Sequence, residues 1–430
     1  MKILSVIAQK PSSTGSGVYL TELVRCFSEM GHIQEVVCAC YEEDIVRDEQ
    51  NIHYNKIIFN TATIPFYIAG MSDVMPYKSI KYSDFVENGV NLLIWEKVFI
   101  EKIIEVVIRF KPDVIVCHHL YLLTAIIVDL FSNYDDGIVC EFKNIFSNLI
   151  CSFNDLIRND NYKPLIYGIC HNTDLRQYRQ TNLKRNYIKE NIAKLDKVFF
   201  PSLEHLNIAK DLYGIKDNKM QVVGIGYNNK IFHKMNVNND RDECKINNKT
   251  ILYVGKVAKK KGVLSLIKAV NRLEDSEIIL DIVGGKGDIN EYNEIFAFSQ
   301  KTKSKINFIE PMSQEKLAIQ YNNHNVFVLS SFSEGIPMVP IEAMACGAKV
   351  VISDLPGVKD FYDANIKNAS IKYVKLPKLT NVDDSDEKEL DEFEERLASA
   401  IKESICDETN YKPVLTDISW ENIANKIIGE

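Results

Sequence analysis

Positive charge is not in excess in this 430-residue chain. Fifty-one lysines and arginines stand against 59 aspartates and glutamates, a net charge of −8. A chain of that balance lacks the basic field that nucleic-acid binding needs, so no nucleic-acid partner is expected. Long apolar runs are missing as well: no stretch of about 18 uncharged apolar residues occurs, and no membrane-spanning helix is expected. The ten cysteines include no Cys-x-x-Cys pair, Cys38 and Cys40 stand too close together for a zinc finger, and no His-x-x-x-His follows them. Thiols scattered in this way suit a reducing cytosol, where they are buried and free. Met1–Ala8 turns polar too soon for a signal peptide and reads as a first buried strand.

Apolar residues make up 46% of the chain, enough for the cores of two or three domains. One stretch organises the rest. The apolar strand Asn325–Leu329 runs into the polar loop Ser330–Pro337, then a short helix closed by Gly347, then the strand Lys349–Ile352. Strand, loop, helix, strand is the unit of a parallel α/β sheet. Pro337 and Pro340 fall where a first helical turn tolerates them, so the amides of Gly335, Ile336, Met338 and Val339 are expected to lack helical partners. Such amides suit hydroxyls or anions. Glu334 and Glu342 bracket them, and a carboxylate can accept both hydroxyls of a vicinal diol.

Glu334, seven intervening residues and Glu342, with Gly335 and Pro337 inside and Ala343-x-x-x-Gly347 after, resembles the signature of family 4 retaining glycosyltransferases. The resemblance implies the GT-B fold, an α/β architecture of two Rossmann-like domains with parallel sheets facing across a cleft. It implies that Glu334 contacts the transferred sugar and that Glu342 and Pro337 belong to the nucleotide-sugar site, Glu342 on the ribose. Further on, Val254-Gly255-Lys256 and, with four residues between, Lys261-Gly262 resemble the family's phosphate-binding spacing, with Lys256 where Arg is usual. A lysine brings the charge without the bidentate fork. Gly284-Gly285-Lys286-Gly287 resembles the glycine turn beside the nucleotide, and the base is expected near Glu310-Pro311-Met312. Ser313 is expected to cap the next helix.

In the N-terminal half, Gly15-Ser16-Gly17 lies between the first strand and a helix whose face carries Tyr19, Leu20, Leu23, Val24 and Phe27. Glycines there let backbone approach a phosphate, and the resemblance places them near the donor diphosphate. Residues 51–90 read as irregular. Within them Asp73, Tyr77 and Ser79 are candidate acceptor contacts. Residues 91–110 form a helix with Trp95, Phe99, Ile103, Val107 and Phe110 on its core face and Glu96 on its charged face. Val114–Cys117 ends at His118-His119, and Ile166–Cys170 ends at His171-Asn172-Thr173-Asp174. Polar groups at the carboxyl ends of parallel strands sit where ligands bind. The resemblance implies a histidine near the transferred sugar, His118 first and His119 second, with His171 near the acceptor. The acidic run 375–392 reads as a solvated face.

The expected domains are 1–218 on the acceptor side, joined by a returning helix 418–430, and 219–417 on the donor side. The expected function is metal-independent, retaining transfer of a hexose from a nucleotide-diphosphate sugar, UDP or GDP, to an acceptor hydroxyl in glycan, glycolipid or glycoconjugate biosynthesis. His118, Lys256, Lys261 and Glu334 are its central residues. No cofactor beyond the donor is expected. Lipid, polysaccharide, protein and small molecule all stay open as acceptors. The protein is expected to be cytoplasmic, with any membrane contact local and peripheral. Two alternatives stand beside this: a nucleotide-sugar epimerase on the same fold, and a nucleotide-sugar-binding protein without turnover.

Overall fold

The computed structural model describes the chain except residues 72–74, 76, 134–136, 139–141, 143–144, 160–161, 236–248, 381–385, 416–417 and 430. It divides into two compact units, Met1–Gly224 with Trp420–Glu430, and Ile225–Ser419. Among the described residues no helix is long and apolar enough to cross a membrane.

The first unit contains β1 (Lys2–Ile7), β2 (Ile33–Cys40), β3 (Ile52–Ile58), β4 (Ala69–Gly70), β5 (Ile80–Lys81), β6 (Val114–His118), β7 (Leu165–Ile169), β8 (Lys197–Phe200) and β9 (Met220–Val222). β4 pairs with β5, and the other strands form one parallel sheet in the order β3-β2-β1-β6-β7-β8-β9. Ile3 to Ile7 of β1 are all buried, as a near-continuous apolar run requires when both faces of a sheet are covered. The helix Gly89–Phe110 packs Trp95, Phe99, Ile103, Val107 and Phe110 into the core.

Three expectations are corrected here. Residues 51–90 are not irregular throughout, because Ile52–Ile58 pairs with β2. As the edge strand it has one neighbour, and polar His53 and the adjacent pair Asn55-Lys56 break its apolar pattern, which weakens its sequence signal. Glu96 is not on a solvated face. It is 3% exposed and bonds Lys184 Nζ at 2.5 Å, so its charge is neutralised inside the unit. The chain leaves the first unit after Gly224 rather than after 218, because β9 continues the sheet by pairing with β8.

The second unit contains β10 (Thr250–Val254), β11 (Ile279–Val283), β12 (Lys305–Ile309), β13 (Val326–Leu329), β14 (Lys349–Ser353) and β15 (Ile371–Val374). They form a parallel sheet in the order β12-β11-β10-β13-β14-β15. After the acidic stretch the helix Leu390–Cys406 buries Phe393, Leu397 and Ile401. In each sheet the chain winds outward one way and then the other. The reversal lies between β1 and β6 in the first and between β10 and β13 in the second. Crevices outside strand carboxyl ends at such reversals are where open α/β sheets hold ligands.

Candidate functional site

In the second unit the turn after β10 and the loop after β13 meet at the reversal. Ser330 Oγ donates to Gly262 O at 2.9 Å, and Phe332 N donates to Lys260 O at 3.2 Å. Gly262 has φ +65, and a Cβ there would stand 1.9 Å from Ser330 O, so backbone approach closes this corner and only glycine allows it. The consequence is an ion pair. Lys261 Nζ reaches Glu334 Oε1 at 2.7 Å, with the side chains 33% and 22% exposed. A part-exposed pair of this kind contributes about 1 kcal/mol or less, so a competing anion can displace the carboxylate. Lys256 lies near the same cation. Burial, with the Lys261 charge second, pushes its ammonium down to about 8. Gly255 and Gly284 adjoin across the neighbouring strand ends, since a Cβ on Gly284 would meet Gly255 O at 1.8 Å.

The loop continues into the seven-residue helix Val339–Ala345, with Pro340 in its first turn. Among the described residues no acceptor is found for the amides of Gly335, Ile336, Met338 and Val339. Glu342 is buried and accepts from Tyr321 Oη at 3.1 Å. Tyr362 Oη donates to Pro337 O at 2.7 Å and fixes the bend before the helix. Ser313 stands at the start of Gln314–Asn323 but makes no side-chain cap bond to it.

In the first unit, Thr14 caps the helix Gly15–Glu29 by accepting from Gly17 N at 3.1 Å. Of the three expected phosphate donors, the amide of Gly17 is therefore already used, while those of Gly15 and Ser16 find no acceptor among the described residues. Tyr77 Oη donates to Gln9 Oε1 at 2.8 Å, and its ring lies 4.9 Å from Lys10 Nζ, so it anchors the loop after β1. Ser79 is half-buried, and Asp73 lies outside the described residues.

The three histidines come together at the ends of β6 and β7. Asp174 is the clamp: fully buried, its carboxylate accepts from Leu120 N at 2.7 Å, from His171 N at 3.2 Å and from Leu175 N at 3.0 Å. His119 N donates to Ile169 O at 3.0 Å. Held this way, His118 Nδ1 lies 3.0 Å from His171 Nε2, and the His119 and His171 ring centres are 4.8 Å apart. Tyr19 sets the edge of the cluster, 5.1 Å from the His171 ring, with Trp420 of the returning helix 4.8 Å behind it. His119 (φ +73) and Asn172 (φ +66) occupy the left-handed region at both strand ends, backbone strain of a kind that gathers at functional sites. Burial pushes His118 and His119 down to about 3, and His171 is lowered by burial and by its two neighbours. All three imidazoles are neutral at pH 7. His118 and His119 are enclosed, and His171 is only partly buried. Sequence reasoning names Asp174 only among the polar groups at the end of that strand, not as the clamp, and assigns no site role to Tyr321. The spacing of Asp174, three residues after His171, is a turn-forming signal that could have marked it.

Residues 237–376 match the family model for glycosyl transferases group 1. The chain is also similar to the capsular polysaccharide biosynthesis glycosyltransferase CapM of Staphylococcus aureus, 31% identical over 37% of this chain and 43% of CapM. It spans about half the length of the curated relatives it matches. Among solved structures, sucrose-phosphate synthase of Thermosynechococcus elongatus superposes with a TM-score of 0.62 at 17% identity, covering 99% of this chain and 97% of that one. Anabaena HepE, solved with UDP and glucose, superposes with a TM-score of 0.59 at 12% identity, covering 99% and 94%. The fold is GT-B, built from two Rossmann-like domains.

Proposed function

We propose that the protein is a glycosyltransferase that moves a hexose from a UDP- or GDP-sugar to an acceptor hydroxyl, retaining the anomeric configuration and needing no divalent metal. The observation that carries this reading is the Lys261–Glu334 pair at the β10/β13 reversal, inside the segment that matches the glycosyltransferase model. The diphosphate displaces Glu334 from Lys261, and Glu334 is then free to accept sugar hydroxyls. Lys256 adds a second cation. Glu342, already oriented by Tyr321, holds the ribose. In the reaction the bond from the anomeric carbon to the phosphate oxygen breaks, the acceptor oxygen bonds to that carbon, and the acceptor proton passes to the departing diphosphate. Charge develops on the diphosphate, and stabilising it where it forms is the protein's main contribution. On this reading His171, the partly buried member of the histidine cluster, is the histidine that touches substrate. HepE with UDP and glucose favours a uridine donor, and CapM favours an acceptor in polysaccharide assembly.

The test is donor consumption with a panel of sugar nucleotides and acceptors. Lys261→Ala is expected to lower turnover about a hundredfold or more while chelator leaves it unchanged. Loss of activity with chelator, or conversion of the donor sugar with no acceptor present, would overturn the reading.

A further inference from the structure

His118 and His171 share one hydrogen bond, and the direction of that bond decides what His171 can offer a ligand. A neutral imidazole carries one N–H and one lone pair. If His171 Nε2 donates to His118 Nδ1, the proton of His118 must sit on Nε2. That nitrogen is buried and has no hydrogen-bond partner, so the arrangement leaves an N–H orphaned in the core. If His118 Nδ1 donates instead, its Nε2 is a bare lone pair. Unpaired buried donors are rarer and costlier than under-used acceptors. The second direction wins. His171 then accepts at Nε2, and its own proton lies on Nδ1, which has no partner among the described residues.

We infer that His118 is a positioning residue: by donating from Nδ1 it fixes His171 in the Nδ1–H form, so His171 presents a hydrogen-bond donor, not a base, to a ligand oxygen. The ligand oxygen is a sugar hydroxyl or phosphate oxygen, and that part alone rests on the glycosyl-transfer reading. The tautomer rests on the geometry. It agrees with a reaction in which the proton of the acceptor leaves with the diphosphate, because a nitrogen already bearing hydrogen cannot take it.

The experiment is a long-range proton–nitrogen correlation spectrum of the unliganded chain labelled with nitrogen-15 histidine, the His171 signals being assigned by their loss in His171→Asn. The expected result is a pyridine-like Nε2 and a pyrrole-like Nδ1 on His171. His118→Phe keeps a flat ring without the donor and is expected to shift His171 towards the Nε2–H form and to weaken binding of the sugar nucleotide about tenfold. His118→Asn places an amide N–H near the lost Nδ1 and is expected to restore both. A pyrrole-like Nε2 in the wild type overturns the inference, as does a His171 tautomer unmoved in a folded His118→Phe. The wild-type spectrum decides even if His118→Phe does not fold. Failure of every sugar nucleotide to bind would remove the glycosyl-transfer reading and leave the tautomer standing.

Discussion

Lys256 carries a charge that its surroundings resist. Its ammonium is pushed from 10.5 down to about 8, first by burial and then by Lys261. The unfolded chain holds that proton more tightly than the folded one, so stability rises as pH climbs from about 8 towards 10.5. Lys256→Met is therefore expected to raise the melting transition of the second unit above the wild type's at pH 7, with the gap narrowing across that window, and to bind UDP more weakly. Thermal melts at a series of pH values check the first part, and calorimetry checks the second. A gap that does not change with pH would show that the lysine is not strained. Gly262 makes the opposite case, a residue that cannot change at all. Gly262→Ala needs φ +65 from a residue with a side chain and drives its Cβ onto Ser330 O, and is expected to cost about 2 kcal/mol or more in urea unfolding.

The loops after β6 and β7 are held as one piece by the carboxylate of Asp174. Asp174→Asn replaces an acceptor with an amide N–H, leaves at least one of Leu120 N, His171 N and Leu175 N unpaired, and is expected to cost about 1–3 kcal/mol. The measurement is the urea midpoint, read together with the His171 ring signals, which should broaden as the clamp loosens. These loops also show what the chain can say about itself. The apolar run of β1 and the Lys261, Glu334 and Glu342 spacings are local patterns, so they are legible in order along the chain. The histidine cluster is not. His118 and His171 are 53 positions apart and meet only because β6 pairs with β7 with His118 opposite Ile169, a register set by tertiary packing. Glu96 is hidden for the same reason: helical spacing puts it among charges, while its Lys184 partner comes from the turn that precedes a distant helix. β3 is faint in the sequence because an edge strand is only half-buried and its alternation is weak.

At the level of the whole molecule, the chain crosses between units twice, after Gly224 and after Ser419. Two cores of this kind are expected to unfold as separate cooperative bodies, each with its own transition. Trp420 is 1% exposed in the first unit, against Tyr19 and the helix Gly15–Glu29. Trp420→Ala is expected to cost that unit about 3–5 kcal/mol. Scanning calorimetry should show one transition falling while the other, belonging to residues 225–419, stays in place. If both fell together, the units would not be independent.

The return at Trp420 also sets a timetable for synthesis. The ribosome makes all of the second unit before it makes the helix that covers Tyr19, so a nascent first unit stays incomplete, with an uncovered apolar side, for the time taken to translate residues 225–419. Chaperone dependence should therefore track how fast that intervening stretch is translated, and a stall within it should leave the early product open to proteases.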